Sequence, residues 1–175
     1  MDKIKGKAFI FGENIDTDQI LPGYAMSVPP EELGNYALKG SNKPDFPENV
    51  SPGDIILAED NFGCGSSREQ APLALKNCGL GAVIAGSFAR IFRRNAINIG
   101  LPVLESKEME KIVKESSEGD LFEINIDEAS LINLDTGHLY NLVRLSDTTY
   151  ETLQAGGLIN KVKKILVARG EHIEQ

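Results

Sequence analysis

With 175 residues, 41% of them hydrophobic and 25% charged, the chain has the size and composition of one globular domain with a sizeable core. A formal charge of −8 argues against a nucleic-acid groove or an anionic membrane surface as partner, and no stretch approaches the roughly 18 apolar residues of a membrane span. Two cysteines, Cys64 and Cys78, neither in a CxxC pair nor near a histidine, cannot supply the four thiolates of a zinc or iron–sulfur site, so such a centre would have to come from another chain.

Taken in chain order, residues 7–11 read as a first strand and residues 54–59, DIILAE, as a short buried one. Between them residues 23–49 hold four prolines among Gly, Asn and Ser, around a short helical stretch at 30–38, which suits a long functional loop better than a packed element. Residues 82–86, AVIAG, read as a second buried strand, and Phe88, Ile91, Phe92, Ala96 and Ile99 form the apolar face of a helix over 87–99 that Gly100 closes. A short strand from Leu101, a charged helix at about 108–117, an alternating strand at 121–126, a polar turn at 136–138 and a strand at 139–145 follow. The C-terminal part opens at Ser146 or Asp147, good N-cap residues, and stays helical in period to Val167, with Gly156 and Gly157 breaking it in two. The parallel strand–helix–strand pattern is confined to about residues 54–104. Met1 is followed at once by charged residues with no apolar run behind it, from which a cytoplasmic protein is expected.

Chemistry concentrates in residues 61–72, NFGCGSSREQAP, which leave a strand and enter a helical run. Ser66 with Glu69 three residues later reads as a capping box, and a lone SxxE is most often only that. Here Gly63 and Gly65 also allow positive φ, so the turn can aim several N–H groups at one anion, and Arg68 adds a planar fork suited to a carboxylate. If Ser66 is the N-cap, Pro72 lies beyond the first turn and removes a ladder hydrogen bond, which predicts an irregular helix start. A dinucleotide fingerprint fails, because Arg68 stands where the third glycine belongs and residues 83–86 offer no acid for a ribose.

Residues 14–23, NIDTDQILPG, favour Asx-turns and lack the glycine and distal glutamate of a calcium loop. Cys64 reads as a small residue between glycines, and neither His138, in a polar turn, nor His172, in the C-terminal tail, is expected to be catalytic. Arg90, Arg93 and Arg94 form a basic cluster that could hold a small anion or serve as structural ion pairs.

Three segments in order, IDTDQILPG (15–23), FGCGSSREQAP (62–72) and SFARIFRRNAINIGLPV (87–103), resemble the aconitase superfamily. More narrowly, the chain resembles the free-standing small subunits of 3-isopropylmalate dehydratase and its relatives, counterparts of the swivelling C-terminal domain of single-chain aconitases. The resemblance covers essentially the whole chain. It implies an α/β fold of the swivelling type, with a mixed β-sheet core (β/β/α) and flanking helices, as one domain over residues 1–175 with a substrate-specificity loop at about 23–49. It implies a hydro-lyase that isomerises a hydroxy-dicarboxylic acid by dehydration and rehydration, first of all 2-isopropylmalate to 3-isopropylmalate in leucine biosynthesis. Small subunits for 2,3-dimethylmalate or for homoaconitate or citraconate are the alternatives, and a stand-alone small-anion binding or regulatory domain is the non-enzymatic one. The implied cofactor, a four-iron four-sulfur cluster with one open iron site, belongs to a large partner subunit, with none bound by this chain. The two are expected to form a heterodimer or heterotetramer.

Carried over residue by residue, Ser66 matches the serine that takes the substrate proton as alkoxide. Ser67 and Arg68 match positions that bind substrate carboxylates, and Asp18 matches an active-site aspartate. Gly63 and Gly65 shape the turn whose amides and dipole would stabilise the serine anion. The family usually carries a basic residue followed by Tyr-Leu just after the Pro-Gly pair, whereas this chain reads Gly23, Tyr24, Ala25, Met26. With no cation there, the loop is expected to accept an apolar arm, isopropyl or methyl, rather than a third carboxylate.

Overall fold

The structure is a computed structural model and describes residues 1–171; His172 lies outside the described residues. Seven strands form one sheet: β1 (Ile4–Ile10), β2 (Ile55–Ala58), β3 (Ala82–Ala85), β4 (Val103–Glu105), β5 (Leu121–Asn125), β6 (Ser130–Asn133) and β7 (Leu139–Asn141). Their order is β4-β3-β2-β1-β5-β6-β7. The first four run parallel, and β5 turns the sheet antiparallel against the free edge of β1, pairing Gly6 with Phe122. The parallel block therefore begins at β1, one strand earlier than the sequence pattern indicates.

The wholly apolar β2 and β3 are explained by burial on both faces, since a parallel strand covered on two sides has no reason to alternate. Ile56, Ala58, Val83 and Ala85 point into one hydrophobic cluster, while Ile55, Leu57, Ala82 and Ile84 point into the other. The first cluster is covered by α3 (Gln70–Asn77) and α4 (Arg90–Asn98). The second is closed by α5 (Met109–Glu115) through Met109 and Ile112, and by the inward residues of β5 to β7, among them Phe122, Leu131 and Tyr140. Gly100 ends α4 with φ 83°, and α6 (Asp147–Gln154) is capped by Ser146, whose hydroxyl accepts from the Thr149 N–H. Gly156 and Gly157, with φ of 83° and 124°, separate α6 from α7 (Leu158–Ala168). Among the described residues no helix is long and apolar enough to cross a membrane.

One expectation is corrected, and one strand is added that the sequence pattern leaves unassigned. Residues 23–49 are not an unpacked loop: a 3₁₀ stretch Pro30–Tyr36 and the short helix α2 (Phe46–Asn49) send Leu33, Ala37, Leu38 and Phe46 into the core beside α3. The four prolines mask this, because they suit 3₁₀ turns while disrupting the 3.6-residue period that marks a buried helix. Strand β6 carries no clear sequence signal, because Asn133 reads as a turn residue. In the sheet it is fully buried, its side chain accepting from the N–H groups of Asp135 (2.9 Å) and Thr136 (3.2 Å) and donating to Asp120 (2.9 Å).

Candidate active site

Because β1, β2 and β3 run parallel, their C-terminal ends lie on one edge of the sheet, where open α/β sheets bind ligands. The three segments that leave them are laced together. The Asn14 N–H donates to Asp60 O (2.9 Å), the Gly63 N–H to Ile15 O (2.7 Å) and the Thr17 N–H to Cys64 O (2.9 Å). On the other side the Phe62 N–H donates to Ser87 O (3.1 Å) and the Ala89 N–H to Phe62 O (3.0 Å). Residues 61–72 are thus held like a short extra strand between the residues after β1 and those after β3, with isolated parallel bridges at Asp16 with Cys64 and Phe62 with Phe88.

Glycine is required at the two predicted positions. Gly63 has φ 82° and lies with its backbone against the ring of Phe92, and Gly65 has φ 98°. The turn is exposed from Gly65 to Ser67, and these three residues donate no backbone hydrogen bond to another described residue. Their amides are free for an anion, as a nest requires.

The expected capping box is absent. Helix α3 begins at Gln70, and its N-cap, Glu69, makes no side-chain cap hydrogen bond. The physical reason is Pro72. Starting at Gln70 puts the proline in the first turn, where its missing N–H costs nothing, whereas a helix capped by Ser66 would carry it in the interior at about 3 kcal/mol. No irregular helix start is needed. The capping box of this site lies instead in the N-terminal motif, where Asp16 caps the short helix α1 (Thr17–Ile20), accepting from the Gln19 N–H (2.8 Å), while Gln19 Oε1 accepts from the Asp16 N–H (2.9 Å).

Released from capping, Ser66 places its hydroxyl 3.1 Å from that of Thr17. Arg68 Nη1 makes an ion pair with Asp18 Oδ1 at 2.5 Å and also donates to Leu21 O at 3.0 Å. Of the residues carried over from the resemblance, Asp18 therefore meets Arg68, although the two are 50 positions apart in the chain. Ser66, Ser67 and Arg68 line an open cleft of about 270 Å³ together with Thr17, Gly63 and Gly65, and its opposite wall is the start of α4: Ala89, Arg90, Ile91, Phe92 and Asn95. Of the basic cluster only Arg90 faces this cleft, and among the described residues it has no ion-pair partner.

The specificity-loop residues lie elsewhere. Tyr24 is 67% exposed and edge-on to Tyr36 (centroids 6.1 Å), Ala25 is buried and Met26 packs on the core, so none of the three lines the cleft. The nearest upstream residue bonded to a cleft side chain is Leu21, whose carbonyl accepts from Arg68. Burial, and next the charge of Asp16, push the Cys64 thiol above its usual range, while burial pushes Cys78 up to about 11, with its Sγ donating to Leu75 O. Among the described residues no group of three or more His, Cys, Asp and Glu could hold a metal ion. His138 pairs with Glu115 (3.1 Å) beside Tyr140, on the other side of the sheet from the cleft cluster.

Sequence reasoning missed Thr17 and Asn95. Thr17 could have been suspected from its place between two aspartates in the N-terminal motif, whereas Asn95 sits in a helix without any local mark.

Residues 26–109 match the family model described as the aconitase C-terminal domain. The chain is 50% identical over 162 residues to the isopropylmalate/citramalate isomerase small subunit of Methanocaldococcus jannaschii, covering 92% of this chain and 94% of that protein. It is 48% identical over 165 residues to the 3-isopropylmalate dehydratase small subunit of Thermodesulfovibrio yellowstonii, covering 94% of this chain and 96% of that one. The crystal structure of 3-isopropylmalate dehydratase from Methanocaldococcus jannaschii superposes with a TM-score of 0.88 at 42% identity, over 97% of this chain and 98% of that chain. With fold, site turn and whole-length identity in agreement, this chain belongs to the aconitase superfamily, in the family of 3-isopropylmalate dehydratase small subunits.

Proposed function

We propose that this chain is the small subunit of a hydro-lyase that converts 2-isopropylmalate to 3-isopropylmalate in leucine biosynthesis, acting with a large subunit in at least a heterodimer. The observation that carries the reading is the convergence of Ser66, Ser67 and Arg68 at one open cleft, with Asp18 tied to it by its ion pair with Arg68. Exposure supports the partner: Ser66 is open to solvent, and a serine hydroxyl in water is far too weak an acid to serve as a base. A second protein surface laid over the cleft would exclude that water and strengthen every interaction inside.

In this reading the four-iron four-sulfur cluster is carried by the large subunit and supplies Lewis acidity toward the leaving hydroxyl. This chain supplies carboxylate binding and the proton acceptor. Ser66, as alkoxide stabilised by the free amides of its turn, takes a proton from the carbon next to a carboxylate. That C–H electron pair becomes the C=C bond while the hydroxyl departs from the neighbouring carbon as hydroxide. Hydroxide then returns in the opposite sense, to the carbon that lost the proton, and Ser66 gives its proton to the other. Arg68 orients one carboxylate, with Ser67 beside it, and Arg90 is the cation available for the second. Ala89 and Ile91 in the wall, and the absence of a cation over residues 24–30, favour an acid with an isopropyl or methyl arm over homoaconitate.

The test is anaerobic co-purification with the large subunit, then an isomerase assay on 2-isopropylmalate, citramalate, 2,3-dimethylmalate and homocitrate-type acids. The complex should turn over apolar-armed acids, and Ser66→Ala should assemble normally and be inactive. Turnover by this chain alone, or near-wild-type kcat in Ser66→Ala, would overturn the reading.

A further inference from the structure

We propose that the Thr17 hydroxyl is a positioning donor that holds Ser66 in its base form. This rests on the reading of Ser66 as the base, and it concerns a residue that no part of the sequence reading singled out. Three observations carry it. Thr17 is only 2% exposed, and its Oγ1 lies 3.1 Å from Ser66 Oγ, its sole side-chain hydrogen bond among the described residues. Its backbone is pinned on both sides, the N–H by Cys64 O (2.9 Å) and the carbonyl by the Leu21 N–H (2.9 Å), and a β-branched side chain has little χ1 freedom, so the hydroxyl is already aimed. Finally, a Cβ on Gly65 would stand 3.3 Å from Thr17 Oγ1, so the glycine keeps the space between the two segments of this contact open.

The direction of the hydrogen bond follows from charge. While Ser66 is a neutral hydroxyl, either oxygen can donate. Once Ser66 has lost its proton it can only accept, and Thr17 becomes the donor in a charge-assisted hydrogen bond, which is the stronger kind. The contact thus favours the deprotonated serine over the neutral one, which lowers the pH at which the base form is reached. It does so from a buried residue, so it survives closure of the cleft by a partner.

The assay uses the complex with the large subunit and compares Thr17→Val and Thr17→Ala, which lack the hydroxyl, with Thr17→Ser, which keeps it. Loss of one such donor predicts about a hundredfold lower kcat in both hydroxyl-free variants. KM should change little, and the rising limb of the kcat–pH profile should move to higher pH. Thr17→Ser should recover most of the kcat and the original limb. Wild-type kcat and pH profile in Thr17→Ala, with Ser66→Ala inactive, would overturn the role of Thr17 and leave the base assignment standing. Activity in Ser66→Ala would remove the reading beneath it. An equal loss in the Ser, Ala and Val variants with an unshifted profile would make Thr17 merely structural and refute the proposal.

Discussion

Replacing Gly63 by alanine tests whether the site turn is held by backbone conformation and packing together. At φ 82°, an L-residue at this position carries a left-handed backbone cost of about 1–2 kcal/mol. The added Cβ would also overlap Phe92 Cγ and stand 2.6 Å from its Cδ1. That ring cannot retreat freely: it is 3% exposed, edge-on to Phe62 (5.4 Å) and stacked against Phe88 (6.3 Å). Overpacking of this kind costs about 1–3 kcal/mol, which brings the expected loss to roughly 2–5 kcal/mol. For a chain of this length that corresponds to a Tm lower by about 4–20 °C. Thermal unfolding of wild type and Gly63→Ala, followed by far-UV circular dichroism at equal concentration, measures it. A Tm within about 2 °C of wild type would mean that the turn accommodates a side chain, and that the close approach of Gly63 to Phe92 does not anchor the site.

Two further outcomes follow from other contacts. Arg68→Lys keeps the charge but loses the planar fork that now reaches both Asp18 and Leu21 O. If the same fork binds substrate, steady-state kinetics of the complex should give about ten- to a hundredfold lower kcat/KM, mostly through KM, and unaltered kinetics would show that Arg68 serves only its ion pair. On the other face, Glu115 is held below its ordinary 4.5, first by the hydrogen bond from the Tyr140 hydroxyl (2.6 Å) and less strongly by the charges of His138 and Lys111. A carboxylate with a lowered folded-state pKa adds stability that is complete above its unfolded value and is lost as pH falls through the folded one. Urea unfolding should therefore find Tyr140→Phe less stable than wild type at pH 7, with the gap narrowing below about pH 4.5. A gap that is constant with pH would assign the loss to packing.

Several features were legible in the sequence because they are local. The apolar runs of β2 and β3, the apolar face of α4, its closure by Gly100 and the break at Gly156 and Gly157 depend on residues within a turn or two of one another. The need for glycine at 63 and 65 was equally visible, since both take positive φ. The capping box shows the limit of that reasoning. Both SSRE and DTDQ carry a cap pattern, and only the placement of Pro72 relative to the helix start decided that α3 begins at Gln70, leaving Asp16 and Gln19 as the real cap.

By itself, then, the sequence determined a two-faced parallel core and a glycine-shaped turn bearing two hydroxyls and a guanidinium. The tertiary structure decided what those groups touch. Setting β1 beside β2 in parallel brings residues 15–18 onto residues 63–68, so that Thr17 meets Ser66 and Asp18 meets Arg68 across some fifty intervening positions. No periodicity or spacing encodes such a contact, because it arises from strand order, a property of the whole sheet rather than of any segment within it.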